Sequence, residues 1–483
     1  MKKKKILLFF FISVVFVTLF SRSTSFLYAF EGGDPSVFKQ MGRAILQGKI
    51  LYIDYFDNKG CFLYFIHALG IALGGNIALL FMQAFSLTAT LVIWDKMLAL
   101  YCNQRQRWIS LGFALFMLFC FYGAGDQTQE WCLPFISYPL LVFLRAYKTK
   151  TDLRLWQHLL IGLCFGIITF IQVNNACAFL GFVAYLWMQY LLHKNFRKFF
   201  ASLGCFIAGW LVVAVPFVLY FYLKAGGHGV YEMVYASFLS NFEYIGYQWK
   251  PRWFFVIPYY LFVLLLISWQ IIHFKKAKDL LIPLLVSVLL FVATFGRLCN
   301  AFYLMALLPL CIVGMTAIGI PGKKKTQICL GVFMLFPLLF YAANNGIGFL
   351  FQDKKQAANY ERFHQCIEKI PEAERDSIYN YNLFWHGTSM MEHEKLLPCN
   401  RVLFTALVFK LPTLWKEETE KPLNLPKWIM VSFDKSYKEN DAYFIVENYE
   451  LTHEFLYDYK VLDEPSIGEV FQVYLYRRKD PVH

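Results

Sequence analysis

The sequence predicts a polytopic α-helical membrane protein that carries a small C-terminal α/β domain. Hydrophobic residues make up 58% of the 483 residues and charged residues only 16%, whereas soluble globular proteins carry about 25% charged residues. Apolar segments close to the ~20 residues that cross a ~30 Å hydrocarbon core follow one another up to residue 343. From residue 344 onward, short apolar runs alternate with charged stretches. We therefore predict a transmembrane domain over 1–343 and a soluble domain over 344–483.

About 11 transmembrane helices are predicted, the first of which follows the basic residues Lys2 to Lys5. This first apolar run covers 6–20 and is extendable through 26–30. It could be a cleaved signal peptide, but ten further segments follow, so we expect an uncleaved anchor. The other ten segments are 77–99, 108–124, 131–147, 156–173, 175–192, 199–223, 254–273, 280–297, 301–320 and 327–343.

The charge of the connecting loops sets the predicted orientation. The net charge of +13 arises before residue 344, because 344–483 hold more acidic than basic residues. Basic and acidic loops alternate along the chain, and the positive-inside rule places the basic loops and the N-terminus in the cytoplasm. The basic surplus is therefore a topology signal, and we expect no nucleic-acid partner. An odd number of crossings places the C-terminal domain outside the cytoplasm.

The first outer loop, about 21–76, is long and acidic. Within it, 62–73 is apolar but too short for a span, and counting it as a crossing would invert every later loop, so we predict an interfacial helix. A second interfacial helix is predicted over 35–47, where apolar residues recur at helical spacing. Asp34 is placed to cap this helix and Gly48 to end it.

The C-terminal domain shows one helical and three strand-like patterns. These are a helix over 360–370 and strands over 377–381, 428–433 and 470–476. Cys366 and Cys399 are the cysteines of this region, and their spacing does not tell whether they pair.

Three groups of charged residues are candidates for chemistry. Asp34 lies between two glycines and a proline, and its simpler role is that of a helix cap. Asp126 and Glu130 form a second outward acidic pair, which either faces an aqueous cavity or a partner, or belongs to a solvated loop. Lys59 and Arg297 are the outward cations best placed to hold a lipid phosphate, unless they only anchor the chain to lipid head groups.

The remaining polar residues indicate structural roles. Gln83, Asn174 and Asn175 lie in or beside spans, where amides mostly bond between helices, and Asp54 fits a polar turn. No HExxH, CxxC or Cys/His cluster indicates a metal site, and neither a P-loop nor a dinucleotide fingerprint is present. The sequence thus predicts no cofactor and leaves a divalent metal open.

Together these features resemble the integral-membrane glycosyltransferases of the GT-C class, which include protein O-mannosyltransferases and the lipid A aminoarabinose transferase. In that class the first outer loop carries a catalytic aspartate near its start and interfacial helices, one of which opens with Lys-Pro-Pro or Lys-Gly-Pro. Asp34 matches the aspartate, Lys59 and Gly60 match the lysine motif, and Glu130 resembles the acidic residue of the second loop. Two positions depart from the pattern: Cys61 replaces the proline, and Pro35 follows Asp34 where mannosyltransferases commonly have Glu.

The resemblance implies a bacterial plasma-membrane enzyme that transfers a sugar, hexosyl or pentosyl, from a polyprenyl-phosphate donor to an envelope acceptor with inversion. Asp34 would be the general base, and Lys59 and Arg297 would hold the donor phosphate. The alternative is a transporter or flippase of lipid-linked saccharides with no chemistry. The sugar, the acceptor, the oligomeric state and the organism stay open.

Overall fold

The computed structural model describes most of the chain. The described residues are 3–24, 26–28, 32–123, 125–246, 253–296, 298–319, 324–347, 353–381, 385–399, 401–403, 426–433, 447–458 and 470–479.

A helix occupies the position of every predicted apolar segment and of both predicted interfacial helices. In chain order they are α1 (Lys3–Phe20), α2 (Gly33–Leu46), α3 (Cys61–Gly74), α4 (Asn76–Leu98), α5 (Gln104–Phe121), α6 (Thr128–Thr149), α7 (Leu155–Gln172), α8 (Cys177–Leu192), α9 (Phe196–Val234), α10 (Ser240–Gly246), α11 (Trp253–Phe274), α12 (Lys278–Phe295), α13 (Leu308–Met315) and α14 (Lys324–Tyr341). A 3₁₀ segment, Ala301–Leu307, leads into α13, and a π-helical segment, Tyr235–Leu239, joins α9 to α10.

Within the described residues, five helical segments are long and apolar enough to cross a membrane: Asn76–Leu98, Leu155–Leu192, Phe196–Glu243, Phe255–Phe274 and Lys278–Phe295. Shorter apolar helices cover Cys61–Gly74, Ala301–Met315 and Gly331–Asn344. The helical, multi-pass character is therefore confirmed, while the count of eleven crossings and their orientation stay predictions.

Glycines let α7 and α9 approach each other at backbone distance. A Cβ atom at Gly162 of α7 would lie 1.9 Å from the carbonyl oxygen of Phe206, and one at Gly209 of α9 would lie 2.0 Å from that of Leu159. Small residues at such crossings allow close van der Waals packing. This packing drives the association of helices within a bilayer, where burial of apolar surface contributes no free energy because the lipid is equally apolar. Beyond this contact α9 breaks at Ala225 and Gly226, close to the predicted end of its span at residue 223.

A buried carboxylate ties three of the first five helices together. Asp95 of α4 accepts a hydrogen bond of 2.7 Å from Lys5 of α1 and a two-pronged contact from Arg107 of α5. The Lys5 ammonium also lies 5.0 Å from the ring centroid of Trp108. Because Asp95 is 3% exposed, its charge depends on these two cations for compensation.

The C-terminal region is an α/β unit, as predicted. It contains α15 (Asp353–Ile367), α16 (Trp385–His393), β1 (Ile378–Tyr381), β2 (Trp428–Phe433), β3 (Tyr449–Asp458) and β4 (Val470–Arg478). The strands form one sheet in the order β1-β2-β4-β3, with β1 and β2 parallel and the other pairs antiparallel. Strand β3 was not predicted.

Both cysteines of this region are free thiols. Cys366 is buried in the core of the α/β unit, where burial raises its pKa to about 12, whereas Cys399 is exposed at its surface. Cys366 and Cys399, whose pairing the sequence left open, therefore do not form a disulfide in this structure.

Replacing Asp95 by Asn should destabilise the protein, because Lys5 and Arg107 would lose their shared counter-ion. We expect about 2 kcal/mol, below the 3–5 kcal/mol typical of a fully buried pair, since both cations keep roughly a fifth of their exposure. The measurement is the thermal unfolding of the detergent-solubilised protein. The control is Asp152→Asn, which removes an exposed pair with Lys198 and should change the unfolding temperature little; equal shifts in the two variants would contradict the assignment.

Candidate active site in the first outer loop

The position of Asp34 in α2 differs from the predicted one. Helix α2 begins at Gly33, and its N-cap residue is Gly32, whose φ of 83° suits glycine. Asp34 is therefore the second residue of the helix, and the prediction that it caps the helix is wrong; the cap position has no side-chain hydrogen bond. The Asp34 side chain is half-buried at the positive end of the helix dipole, which stabilises a carboxylate there.

Helix α2 packs directly on α3, so the two interfacial helices form one unit. At the contact, a Cβ atom on Gly42 would lie 2.7 Å from the backbone nitrogen of Ala68 and 2.9 Å from the carbonyl carbon of His67. The backbone approach fixes the crossing of the two helices. The position of Asp34 therefore depends on how α3 is held.

The lysine motif connects α3 to the end of α7. Gly60 donates a backbone hydrogen bond of 2.9 Å to Ile171, and a Cβ atom at Gly60 would lie 2.2 Å from the carbonyl carbon of Phe170. Gly60 is the N-cap of α3 and Cys61 its first residue, a position that also suits proline. Lys59 is partly exposed, and its ammonium donates to Asn58 at 2.7 Å.

Two further aspartates of this loop have structural contacts. Asp57 is 3% exposed and accepts hydrogen bonds from the Tyr64 hydroxyl at 2.6 Å and from the Asn58 backbone at 2.8 Å. Asp54 is exposed and accepts one from the backbone of Ile50 at 2.6 Å. The interpretation of Asp54 as part of a polar turn is confirmed.

Asp126 is completely buried beneath α3. His67 Nε2 lies 3.0 and 3.2 Å from its two carboxylate oxygens, and Trp131 Nε1 donates to one of them at 2.8 Å. His67 Nδ1 lies 2.8 Å from the carbonyl oxygen of Leu63, which can only accept. Both ring nitrogens of His67 therefore lie within hydrogen-bond distance of oxygen atoms, and these contacts orient the ring between α3 and the Asp126 carboxylate.

Glu130 is buried four residues further on and connects a different set of elements. It accepts hydrogen bonds from the Tyr122 hydroxyl at 2.6 Å, from Gln83 Nε2 at 3.2 Å and from the backbone nitrogen of Asp126 at 2.9 Å. Gln83 in turn accepts from Ser21 and Thr24, which follow α1. Of the alternatives for Asp126 and Glu130, the solvated loop is wrong, because both residues are buried and their oxygens bond to partners within the protein.

The backbone at Gly125 and Asp126, just before α6, is held in an uncommon conformation. Gly125 and Asp126 have φ values of 75° and 57°, and a Cβ atom at Gly125 would lie 2.8 Å from the Cα atom of Ser21. Aspartate tolerates this left-handed region better than most residues. This turn directs Asp126 towards α3 and Glu130 towards α4 and the end of α1.

A buried lysine that the sequence analysis missed joins α2 to the same network. Lys39 is 1% exposed, and its ammonium donates to the backbone carbonyl of Ser23. Lys39 lies two positions from Val37 and from Met41, off the apolar face of α2, so helical spacing gave no signal of its burial. It is buried because α2 is enclosed on nearly all sides.

Of the remaining predicted residues, some make the contacts that were predicted and one lies outside the described part of the chain. Gln83 and Asn175 bond between helices, the latter to Cys132 at 3.5 Å, as predicted for such amides. Arg297 lies outside the described residues, and so its part in the site is not defined. Among the residues that are described, no group of three His, Cys, Asp or Glu side chains could hold a metal ion.

The fold is similar to that of two solved membrane glycosyltransferases of the GT-C class. The ArnT of Cupriavidus metallidurans, solved bound to undecaprenyl phosphate, matches with a TM-score of 0.58 and 11% identity over 98% of each chain. The oligosaccharyltransferase AglB of Archaeoglobus fulgidus, solved with an inhibitory peptide and a dolichol-phosphate, matches with a TM-score of 0.50 and 12% identity over 89% of this chain and 69% of that chain. The predicted GT-C-like fold is confirmed.

Sequence comparison gives a family over most of the chain. Residues 1–329 match the model of the putative competence-induced protein Ccs4 N-terminal domain. A comparison with curated proteins finds no match.

The structural role of Asp126 predicts opposite effects for two replacements. In Asp126→Asn, the amide can still accept from Trp131 and bond to His67, so we expect little change in thermal stability. In Asp126→Leu, two buried donors lose their acceptor, which should cost about 2–4 kcal/mol. Thermal unfolding of both variants tests this; an Asn variant destabilised as strongly as the Leu variant would contradict the prediction.

Gly60→Ala should lower the yield and thermal stability of the folded protein, because the new methyl group meets the backbone of Phe170, which cannot move aside. Overpacking typically costs about 1–3 kcal/mol, and a backbone collision belongs at the upper end. The matched control is Gly204→Ala in α9, where a Cβ atom has no neighbour within 4 Å. A Gly60 variant as stable as the Gly204 variant would contradict the close contact with α7.

Proposed function

The chain belongs to the family of putative competence-induced Ccs4 N-terminal domains, and from its fold and first outer loop we propose that it is a lipid-linked glycosyltransferase. It transfers a hexosyl or pentosyl group from a polyprenyl-phosphate donor to an acceptor in the cell envelope. The reaction takes place at the outer face of a bacterial plasma membrane, where residues 344–483 also lie.

The proposal rests on the match of this fold to a solved glycosyltransferase together with the position of Asp34 in the first outer loop. The chain aligns with the ArnT structure over nearly the full length of both chains, and Asp34 opens the first of two packed helices in the first outer loop. The ArnT structure contains undecaprenyl phosphate and the AglB structure a dolichol-phosphate, which supports a polyprenyl-phosphate donor for this chain.

In the proposed reaction Asp34 is the general base. Its carboxylate takes the proton of an acceptor hydroxyl or amine while the acceptor atom attacks the anomeric carbon. The bond between that carbon and the phosphate oxygen breaks in line, the phosphate leaves with the bonding electrons, and the anomeric configuration inverts. General base catalysis supplies about 10²–10⁴-fold of the rate.

The cations of the site stabilise the charge that develops on the leaving phosphate. Lys59 is partly exposed in the same loop as Asp34, and Arg297 is proposed as the second cation. Electrostatic stabilisation of this kind is often the largest single contribution to catalysis. Glu130 and Asp126, the second acidic position, support the loop through buried hydrogen bonds rather than by contact with the acceptor.

Asp34→Asn tests the proposal in vesicles that contain the purified protein and a polyprenyl-phosphate sugar. We expect the transfer rate to fall by about 10²–10⁴-fold, because an amide cannot take the acceptor proton. The matched control is Asp54→Asn in the same loop, whose exposed side chain bonds only within its own turn in the described contacts and which should transfer sugar at the wild-type rate.

Two results would overturn the proposal. If the Asp34 variant transfers sugar at a rate near that of the wild type, Asp34 is not the general base. If neither protein transfers sugar but both move the lipid across the bilayer, the chain is instead a transporter of lipid-linked saccharides.

A further inference from the structure

Helix α16 of the C-terminal region has two different buried faces. Met390 and Met391 belong to the apolar core of the α/β unit, together with Phe363 of α15. Thr388 and Ser389 are also buried, at 0% and 1% exposure, but their contacts lie outside that core. Thr388 donates to the carbonyl oxygen of Leu403, and Ser389 donates to that of Gly32 at the start of α2. The helix is therefore shared between the C-terminal core and the first outer loop.

Ser389 reaches the start of α2, next to Asp34. Its hydroxyl donates to the carbonyl oxygen of Gly32 at 3.0 Å and lies 3.1 Å from the hydroxyl of Ser36. Ser36 donates to the same carbonyl oxygen at 2.6 Å. The carbonyl oxygen of Gly32, the N-cap residue of α2, thus accepts one hydrogen bond from α2 itself and one from the C-terminal region.

The far end of α2 is held by the same helix. Arg43 donates to the carboxylate of Glu392 at 2.6 Å, with the two side chains 19% and 5% exposed. Between the two ends, Gln40 Nε2 lies 3.3 Å from the carbonyl oxygen of Thr388 and 3.4 Å from that of Leu396. Contacts at both ends restrict rotation of α2 about any single point.

The chain after α16 continues along the same loop. Tyr55 donates to the carbonyl oxygen of Pro398 at 2.9 Å, and the backbone of Phe56 donates to that of Arg401 at 2.7 Å. The Arg401 guanidinium donates to the carbonyl oxygen of Tyr52 at 2.7 Å and to the carboxylate of Glu232 at 2.8 Å. Leu397, Val402 and Leu403 of this segment belong to the core of the transmembrane domain, whereas Leu396 packs against the core of the α/β unit.

We propose that α16, together with residues 394–399 and 401–403, forms a clamp that holds α2 in its catalytic position, with Ser389 and Glu392 as positioning residues for Asp34. This inference rests on the proposed function, in which Asp34 is the general base. A displacement of about 1 Å at a reacting group can cost about 10²-fold in rate. The C-terminal region is accordingly a working part of the transfer site, and not only a separate module for the acceptor.

Charge reversal of the ion pair tests the clamp in the full-length protein. Arg43→Glu and Glu392→Arg should each lower kcat at least about tenfold, since each places two like charges in contact, and the double variant should recover to within about threefold of the wild type. The donor KM should stay unchanged, because the donor phosphate binds elsewhere in the loop. Ser389→Ala should lower kcat in the same way, whereas Ser377→Ala, which removes a serine-to-carbonyl hydrogen bond within the C-terminal region, should not.

Hydrogen exchange of the backbone amides of 33–46 gives a readout that does not depend on sugar transfer. Faster exchange of α2 in the single charge variants and in Ser389→Ala, reversed in the double variant and absent in Ser377→Ala, supports the clamp. If the wild type transfers no sugar, the proposed function is wrong. In that case the hydrogen exchange of α2 is the only test of whether α16 holds it. Unchanged exchange, or faster exchange with an unchanged kcat in an active enzyme, overturns the positioning role.

Discussion

The arrangement of the first outer loop depends on two buried carboxylates that point in different directions, Asp126 just before α6 and Glu130 in the first turn of α6. Asp126 meets His67 of α3, and Glu130 meets Gln83 of α4 and Tyr122 at the end of α5. The left-handed backbone at Gly125 and Asp126 makes this divergence feasible. Buried carboxylates with complete sets of partners stabilise one arrangement of the elements that they join, because any other arrangement leaves a charge or a donor without a partner.

Two independent sets of contacts therefore determine where Asp34 lies. On the side of α2 that faces α3, Gly42 packs against α3, and α3 in turn is positioned by the contact between His67 and Asp126. From the other side, α16 contacts both ends of α2 through Ser389 and Glu392. In the proposed mechanism the acceptor and donor meet at a rigid carboxylate, which is the arrangement that general base catalysis requires.

The sequence was most informative about elements that depend on local patterns. Apolar segments, both interfacial helices and three of the four strands were predicted, since periodicity and length determine them. The first residue of α2 was missed by two positions, because Gly32 can adopt a conformation that competes with Asp34 for the cap. The burial of Asp126, Glu130 and Lys39 could not be predicted, since it depends on partners far away in the chain.

The central claim is a single in-line displacement at the anomeric carbon with Asp34 as the base. The most direct measurement is the anomeric configuration of the transferred sugar, determined by NMR from the coupling of the anomeric proton, with a donor of known configuration. The account predicts a product of opposite configuration to the donor. A product that retains the configuration of the donor would contradict it, because retention requires two successive displacements through a covalent intermediate, or attack from the same face as the leaving group.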